Sequence, residues 1–131
     1  MGSRFETHGD FSWCELMTTD VDAARAFYGA VFGWTFEEMS VTEHRYTEIK
    51  AGGKGVGGMM GLPAAAPPGM SPCWSCYVTV SDLDPVVAKV NQLGGKLLYG
   101  PESIPSVGRF AVIQDPQGAV LAAIQYTMEA E

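Results

Sequence analysis

Positive charge is scarce in this chain: its 131 residues include 8 Lys and Arg against 15 Asp and Glu, for a formal net charge of −7. A chain with no basic stripe cannot neutralise a row of phosphates or hold an anionic membrane surface, so neither nucleic acid nor a membrane is an expected partner. Long apolar runs are missing too, although 47% of the residues are hydrophobic, and no segment reaches the length needed to span a bilayer. Met1 to Asp10 lacks the apolar core of a signal peptide, so the expected location is cytoplasmic. Met1-Gly2-Ser3 fits a native start or a cloning remnant equally and carries no structural weight. Cysteine is sparse and odd in number. Cys14, Cys73 and Cys76 do not make a disulfide framework and are read as thiols. The length suits one domain with a real core, covering residues 1–131.

Against these absences stands an internal repeat. At an offset of 62 residues, Thr19-Asp20-Val21-Asp22 falls on Ser81-Asp82-Leu83-Asp84, and Cys14 falls on Cys76. Each tetrapeptide has the composition of a helix start, with a Ser or Thr oxygen placed to cap and an Asp near the positive end of the helix dipole. Helical spacing then brings Ala24, Phe27, Tyr28, Val31 and Phe32 onto one stripe, and Val86, Val87, Val90 and Leu93 onto another, with glycines at Gly33 and Gly94-Gly95. Strand-like runs precede each helix, at 11–18 and 74–80. Three more follow each: 35–39, 46–50 and 55–60, then 96–99, 109–114 and 120–126. An offset of 64 lays Arg45-Tyr46-Thr47-Glu48-Ile49 on Arg109-Phe110-Ala111-Val112-Ile113, and the turn 51–54 on 115–118. Two βαβββ modules are therefore expected, over about 11–62 and 73–126, joined by a Pro/Ala-rich linker over about 63–72.

Residues 19–34, with Phe27-Tyr28 and the terminal Gly33-Trp34, resemble the first helix of the vicinal-oxygen-chelate superfamily, which contains glyoxalase, bleomycin-resistance and dioxygenase proteins. Gly108-Arg109-Phe110-Ala111-Val112 and Asp115-Pro116-Gln117-Gly118-Ala119 resemble that family's last hairpin. The resemblance implies an α+β fold, a curved mixed sheet of eight strands around a cavity between the modules, and a homodimer. For function it implies less, because the family mixes isomerases, dioxygenases, thiol transferases and binding proteins. Its enzymes place a metal ligand on the first and last strand of each module. The matching positions here are Trp13, Gly58, Ser75 and Ala122. An indole, a hydrogen, a hydroxyl and a methyl do not make a metal site, so neither metal nor other cofactor is expected.

Other motifs are weaker. Cys73-Trp74-Ser75-Cys76 has redox spacing but lies in a strand without a second pair, and reads as packing. His8 and His44 fall in an arm and a turn. The run Gly52 to Gly58 lacks a phosphate loop's ending and following helix, and reads as a hairpin. Glu15 is more informative. Alternation puts Trp13, Glu15 and Met17 on one face, with Ser75, Tyr77 and Thr79 on the corresponding face of the second module. A carboxylate among aromatics is a candidate proton acceptor or cation partner; the plainer alternative pairs Glu15 with Arg45 or Arg109. The expected function is metal-free binding of a small molecule by Trp13, Glu15, Ser75 and Tyr77, with no catalytic residue assigned. The alternative is a glyoxalase-like lyase or isomerase, or a dioxygenase, using Glu15 as base or displaced ligands such as Glu15, Glu48 and a cysteine.

Overall fold

The computed structural model describes residues 3–39, 45–62, 71–104 and 107–127. Most of the expected linker, together with His44, Met1 and Gly2, lies outside them. In chain order the elements are β1 (Phe11–Thr18), α1 (Val21–Phe32), β2 (Thr35–Met39), β3 (Tyr46–Ala51), β4 (Lys54–Gly61), β5 (Cys73–Thr79), α2 (Leu83–Gln92), β6 (Lys96–Ile104), β7 (Gly108–Gln114) and β8 (Val120–Tyr126). They fall into two compact units, Trp13–Ser75 and Met1–Ser12 with Cys76–Glu131.

The strands of the first module are hydrogen-bonded in the order β2-β3-β4-β1 and those of the second in the order β5-β8-β7-β6. In each module the first and last strands run parallel and the remaining pairs antiparallel. The registers repeat as well: Glu15 faces Gly58 across β1 and β4, and Tyr77 faces Ala122 across β5 and β8. These are the same positions under offsets of 62 and 64. A helix crossover is what lets β1 and β4, or β5 and β8, lie parallel.

The helix starts sit one residue later than the sequence suggests. Asp20, not Thr19, is the N-cap of α1, its carboxylate accepting from the Ala23 amide at 3.0 Å. Asp82 occupies the same place on α2 without a side-chain cap, since the position matching Ala23 is Pro85, which has no amide hydrogen; the Leu83 amide donates to Gln125 Oε1 at 2.8 Å. Gly33 closes α1 with φ 73°, the left-handed conformation that glycine adopts without strain. The β3–β4 hairpin turns through Gly52 and Gly53 at φ 60° and 80°, as a two-residue turn with two positive φ values requires.

Each unit has its own apolar core on the helix side of its strands. In Trp13–Ser75 it is Leu16, Ile49 and Met59, with Val21, Ala24 and Tyr28 of α1 packed over them. In the other unit it is Val80, Leu83, Ala111 and Ala123, covered by Val86 and Val87 of α2. The expected stripes are therefore narrower than their spacing implied. Phe27, Val31 and Phe32 are more than half exposed, and so is Leu93.

Candidate functional site

Residues one apart on a strand face opposite sides, and that alternation sorts the polar residues of the Trp13–Ser75 unit. Leu16, Thr47, Ile49 and Met59 point to the α1 side, so Trp13, Glu15, Tyr46, Glu48 and Gly58 share the helix-free face. Pairing sets Glu15, Gly58, Glu48 and Glu37 in one row across four strands. Gly58 stands in the row between two carboxylate positions, and its missing side chain is used. A Cβ there would overlap the Tyr46 hydroxyl, and one at Gly55 would overlap the Glu48 carboxylate. The glycines of β4 thus form a floor over which two β3 side chains lie.

Tyr46 ties the face together. Its hydroxyl accepts from the Trp13 indole Nε1–H at 2.8 Å. Burial pushes the phenol pKa far above its ordinary value, the Glu15 negative charge adds to the rise, and the Trp13 hydrogen bond opposes it; a hydrogen bond to Glu15 and the charge of Glu48 act in the same direction as burial. Glu15 is itself buried. The result is a neutral phenol held beside a buried carboxylate, with an indole N–H on its other side. Such a set can offer a ligand an aromatic surface and the carboxylate oxygens as acceptors, while the indole N–H is committed to Tyr46.

The arginines considered as partners for Glu15 pair with other carboxylates. Arg45 and Arg109 are odd-numbered neighbours of Tyr46 and Phe110 and point to the helix side. There Arg45 bonds Asp22 at 2.8 Å and Glu38 at 3.1 Å, and Arg109 bonds Asp84 at 3.1 Å. Arg45 accordingly holds the Asp22 and Glu38 carboxyls below their usual range.

Of the four candidate binding residues, the structure brings Trp13 and Glu15 together through Tyr46. Ser75 lies half-buried at the end of the same unit. Tyr77 belongs to the other unit, where it is buried, with its ring centroid 6.2 Å from that of Phe110. Trp74 points the opposite way from Ser75 and joins Tyr28 and Trp34. Tyr46 was missed by sequence reasoning. The signal was present: β3 alternation, anchored by Ile49 in the core, assigns Tyr46 to the face of Glu15.

A metal does not fit the family's ligand positions. The Tyr46 hydroxyl lies over Gly58, and Trp13 presents a donor N–H already committed to that hydroxyl. Among the described residues no group of three or more His, Cys, Asp or Glu is placed to hold a metal ion, so the displaced set of Glu15, Glu48 and a cysteine does not assemble. Cys14 is exposed, Cys73 and Cys76 are half-buried, and none is in a disulfide. His8 is exposed in the arm, where its Nδ1 accepts from the Ser81 amide at 3.0 Å.

Residues 10–122 match the family model of the Glyoxalase/Bleomycin resistance protein/Dioxygenase superfamily, and the chain belongs to that superfamily. Its α+β architecture is the one this family shares. Among curated proteins it is similar to "Putative glyoxylase CFP32" of Mycobacterium tuberculosis, 42% identical over 118 residues, covering 89% of this chain and 44% of that protein. It is also similar to "Anthracycline biosynthesis protein DnrV" of Streptomyces peucetius, 31% identical over 123 residues, covering 85% and 45%. The chain thus spans less than half the length of either relative. Similar solved structures include methylmalonyl-CoA epimerase from Mycobacterium tuberculosis, with TM-score 0.66, 18% identity and coverage of 97% and 93%. Hypothetical protein BH1468 from Bacillus halodurans C-125 matches with TM-score 0.70, 11% identity and coverage of 95% and 99%. At these identities the structures establish the fold alone. No helix among the described residues is long and apolar enough to cross a membrane.

Proposed function

We propose that this chain binds a small amphipathic organic molecule against the helix-free face carrying Trp13, Glu15 and Tyr46, without a metal in the family's ligand position. The observation that carries the reading is the Trp13–Tyr46–Glu15 arrangement over Gly58. It spends a glycine, an indole N–H and a buried carboxylate on a face where plain packing needs none of them. Stacking on an aromatic surface supplies affinity, and one buried acceptor supplies orientation. Ser75 is a further contact residue in this proposal, which also includes a homodimer and a cytoplasmic location.

Intrinsic tryptophan fluorescence, titrated with a panel of small amphipathic compounds, tests it. Glu15→Gln is expected to weaken cationic hits about tenfold or more and neutral ones little, since a charge left without its partner in a buried site is costly. Gly58→Ala is expected to weaken all hits by displacing the Tyr46 phenol. Parent-like binding of every hit by both variants would reject the site.

The phenol beside Glu15 also favours a second reading, a metal-independent lyase or isomerase in which Glu15 takes a proton from carbon and Tyr46 donates one to oxygen. Solvent deuterium entering a carbon-acid substrate, and lost in Glu15→Gln, would support it.

A further inference from the structure

The two N-cap aspartates are used differently. Asp20 accepts from the Ala23 amide, but at the offset of 62 the place of Ala23 is taken by Pro85, whose nitrogen has no hydrogen to donate. Asp82 therefore holds its N-cap position with no side-chain cap bond. Two turns further on, the place of Phe27 is taken by Lys89. Among the described residues neither Asp82 nor Lys89 makes an ion pair, while neighbouring Asp84 is taken by Arg109. Residues seven apart on a helix share a face about 10 Å apart along its axis. The two charges thus stand at separate points of one face without neutralising each other.

Both line a cavity of about 430 Å³ between α2 and the amino-terminal arm, within a single unit of the fold. Its floor is apolar, made by Pro85, Val86, Val90 and Leu93, of which Leu93 is 71% exposed. The arm fixes the end beside Asp82. The Gly9 amide donates to the Thr79 carbonyl at 2.7 Å, the Thr79 amide to the Asp10 carbonyl at 2.8 Å, and the Ser81 amide to His8 Nδ1 at 3.0 Å. With Nδ1 as acceptor, the neutral imidazole carries its proton on Nε2, a donor suited to a carbonyl oxygen.

These features select one kind of occupant. An apolar anion would meet Asp82 and a chain of net charge −7, and an apolar cation would meet Lys89. A zwitterion satisfies both, with its ammonium toward Asp82 and its carboxylate toward Lys89. An extended peptide spans at most about 3.3–3.6 Å per residue, so three residues place its termini about 10 Å apart. The carbonyl of its first residue then falls at the Asp82 end, where His8 donates. The cavity is also of ligand size, since small-molecule pockets run from about 300 to 1,000 Å³.

We propose that the groove between His8 and α2 binds short apolar peptides as zwitterions, Asp82 taking the amino terminus and Lys89 the carboxylate. The site is separate from the Trp13–Tyr46–Glu15 face and does not rest on its assignment. The probe is Leu-Ala-Leu, titrated into isotope-labelled protein and followed by amide chemical shifts, beside the same peptide N-acetylated, C-amidated and capped at both ends. Shifts are expected at residues 81–93, and each cap should weaken binding about twofold to fivefold, the range of an exposed ion pair. Asp82→Asn should weaken the free peptide as much as N-acetylation does and leave the acetylated peptide unchanged. Lys89→Gln should stand in the same relation to C-amidation. Leu93→Ser should weaken all four peptides alike, and all three variants should keep the parent's far-UV circular dichroism. No shifts at millimolar peptide, shifts confined to other elements, caps without effect, or variant effects that add to those of the matching cap would each overturn the proposal.

Discussion

Tyr46 shows how one side chain can matter more than its residue type suggests. A surface tyrosine ionises near pH 10, but this one is pushed well above that by burial and by the Glu15 charge. Folding therefore holds the Tyr46 proton more tightly than the unfolded chain does. The stabilisation linked to it is fully present below about pH 10 and is lost as pH rises above that value, because the unfolded phenol ionises first. Burial raises Tyr126 and the Glu102 hydrogen bond raises Tyr99 as well, so the check is a difference: spectrophotometric titration of the parent and of Tyr46→Phe should differ by one late-ionising phenol, and the substitution should reduce the alkaline loss of stability. At neutral pH the same substitution is expected to cost about 1–3 kcal/mol by denaturant unfolding, since it strips the Trp13 indole of its acceptor. Glu15 was legible from alternation alone, because its strand begins and ends where β-branched and aromatic residues say it should. Its partner was not. The arginines were the obvious counter-charges, and only the helix-side location of Asp22, Glu38 and Asp84 shows where they go.

At the scale of elements, the two helix starts look alike in sequence and differ in how their amides are served. Asp20→Ala should destabilise the fold by about 0.5–2 kcal/mol, the range for losing a side-chain N-cap. Asp82→Ala should cost markedly less, because Asp82 makes no side-chain cap bond: the position matching Ala23 is Pro85, which has no amide hydrogen. Urea midpoints of the two variants compare them directly. Adjacent Thr-Asp and Ser-Asp pairs are both good cap formers, so composition cannot choose between neighbours, and hydrogen bonding decides the boundary. β1, β2 and β8 have the expected limits. β6 is longer than the expected 96–99, running to Ile104 through Gly100-Pro101, because pairing with β7 continues. The helix stripes were over-read for a different reason. Spacing of 3.6 marks which residues share a face, not whether the sheet beneath or another surface covers them.

For the molecule as a whole, the repeat was the strongest signal available, and the parallel pairs Glu15–Gly58 and Tyr77–Ala122 reproduce it strand for strand. Function was less legible than fold because the positions that define the family's chemistry are those where this chain departs from it. A direct consequence is that metal chelation should not touch its stability: thermal unfolding with and without EDTA is expected to superimpose, since the ligand positions in the Trp13–Ser75 unit hold an indole, a glycine and a serine hydroxyl. A drop in melting temperature on chelation, restored by one divalent metal, would contradict the reading of that face.

The glycine floor of β4 also makes the order of substitutions matter. A side chain able to hold a metal at position 58 must displace the Tyr46 phenol that lies over that spot, and removing the phenol alone takes the acceptor from Trp13. Histories that lead from this sequence to a metal-binding one, or back, must therefore pass through a weakened intermediate. Either first step disturbs the same phenol, so a library that varies positions 46 and 58 together reaches variants that single-site libraries do not.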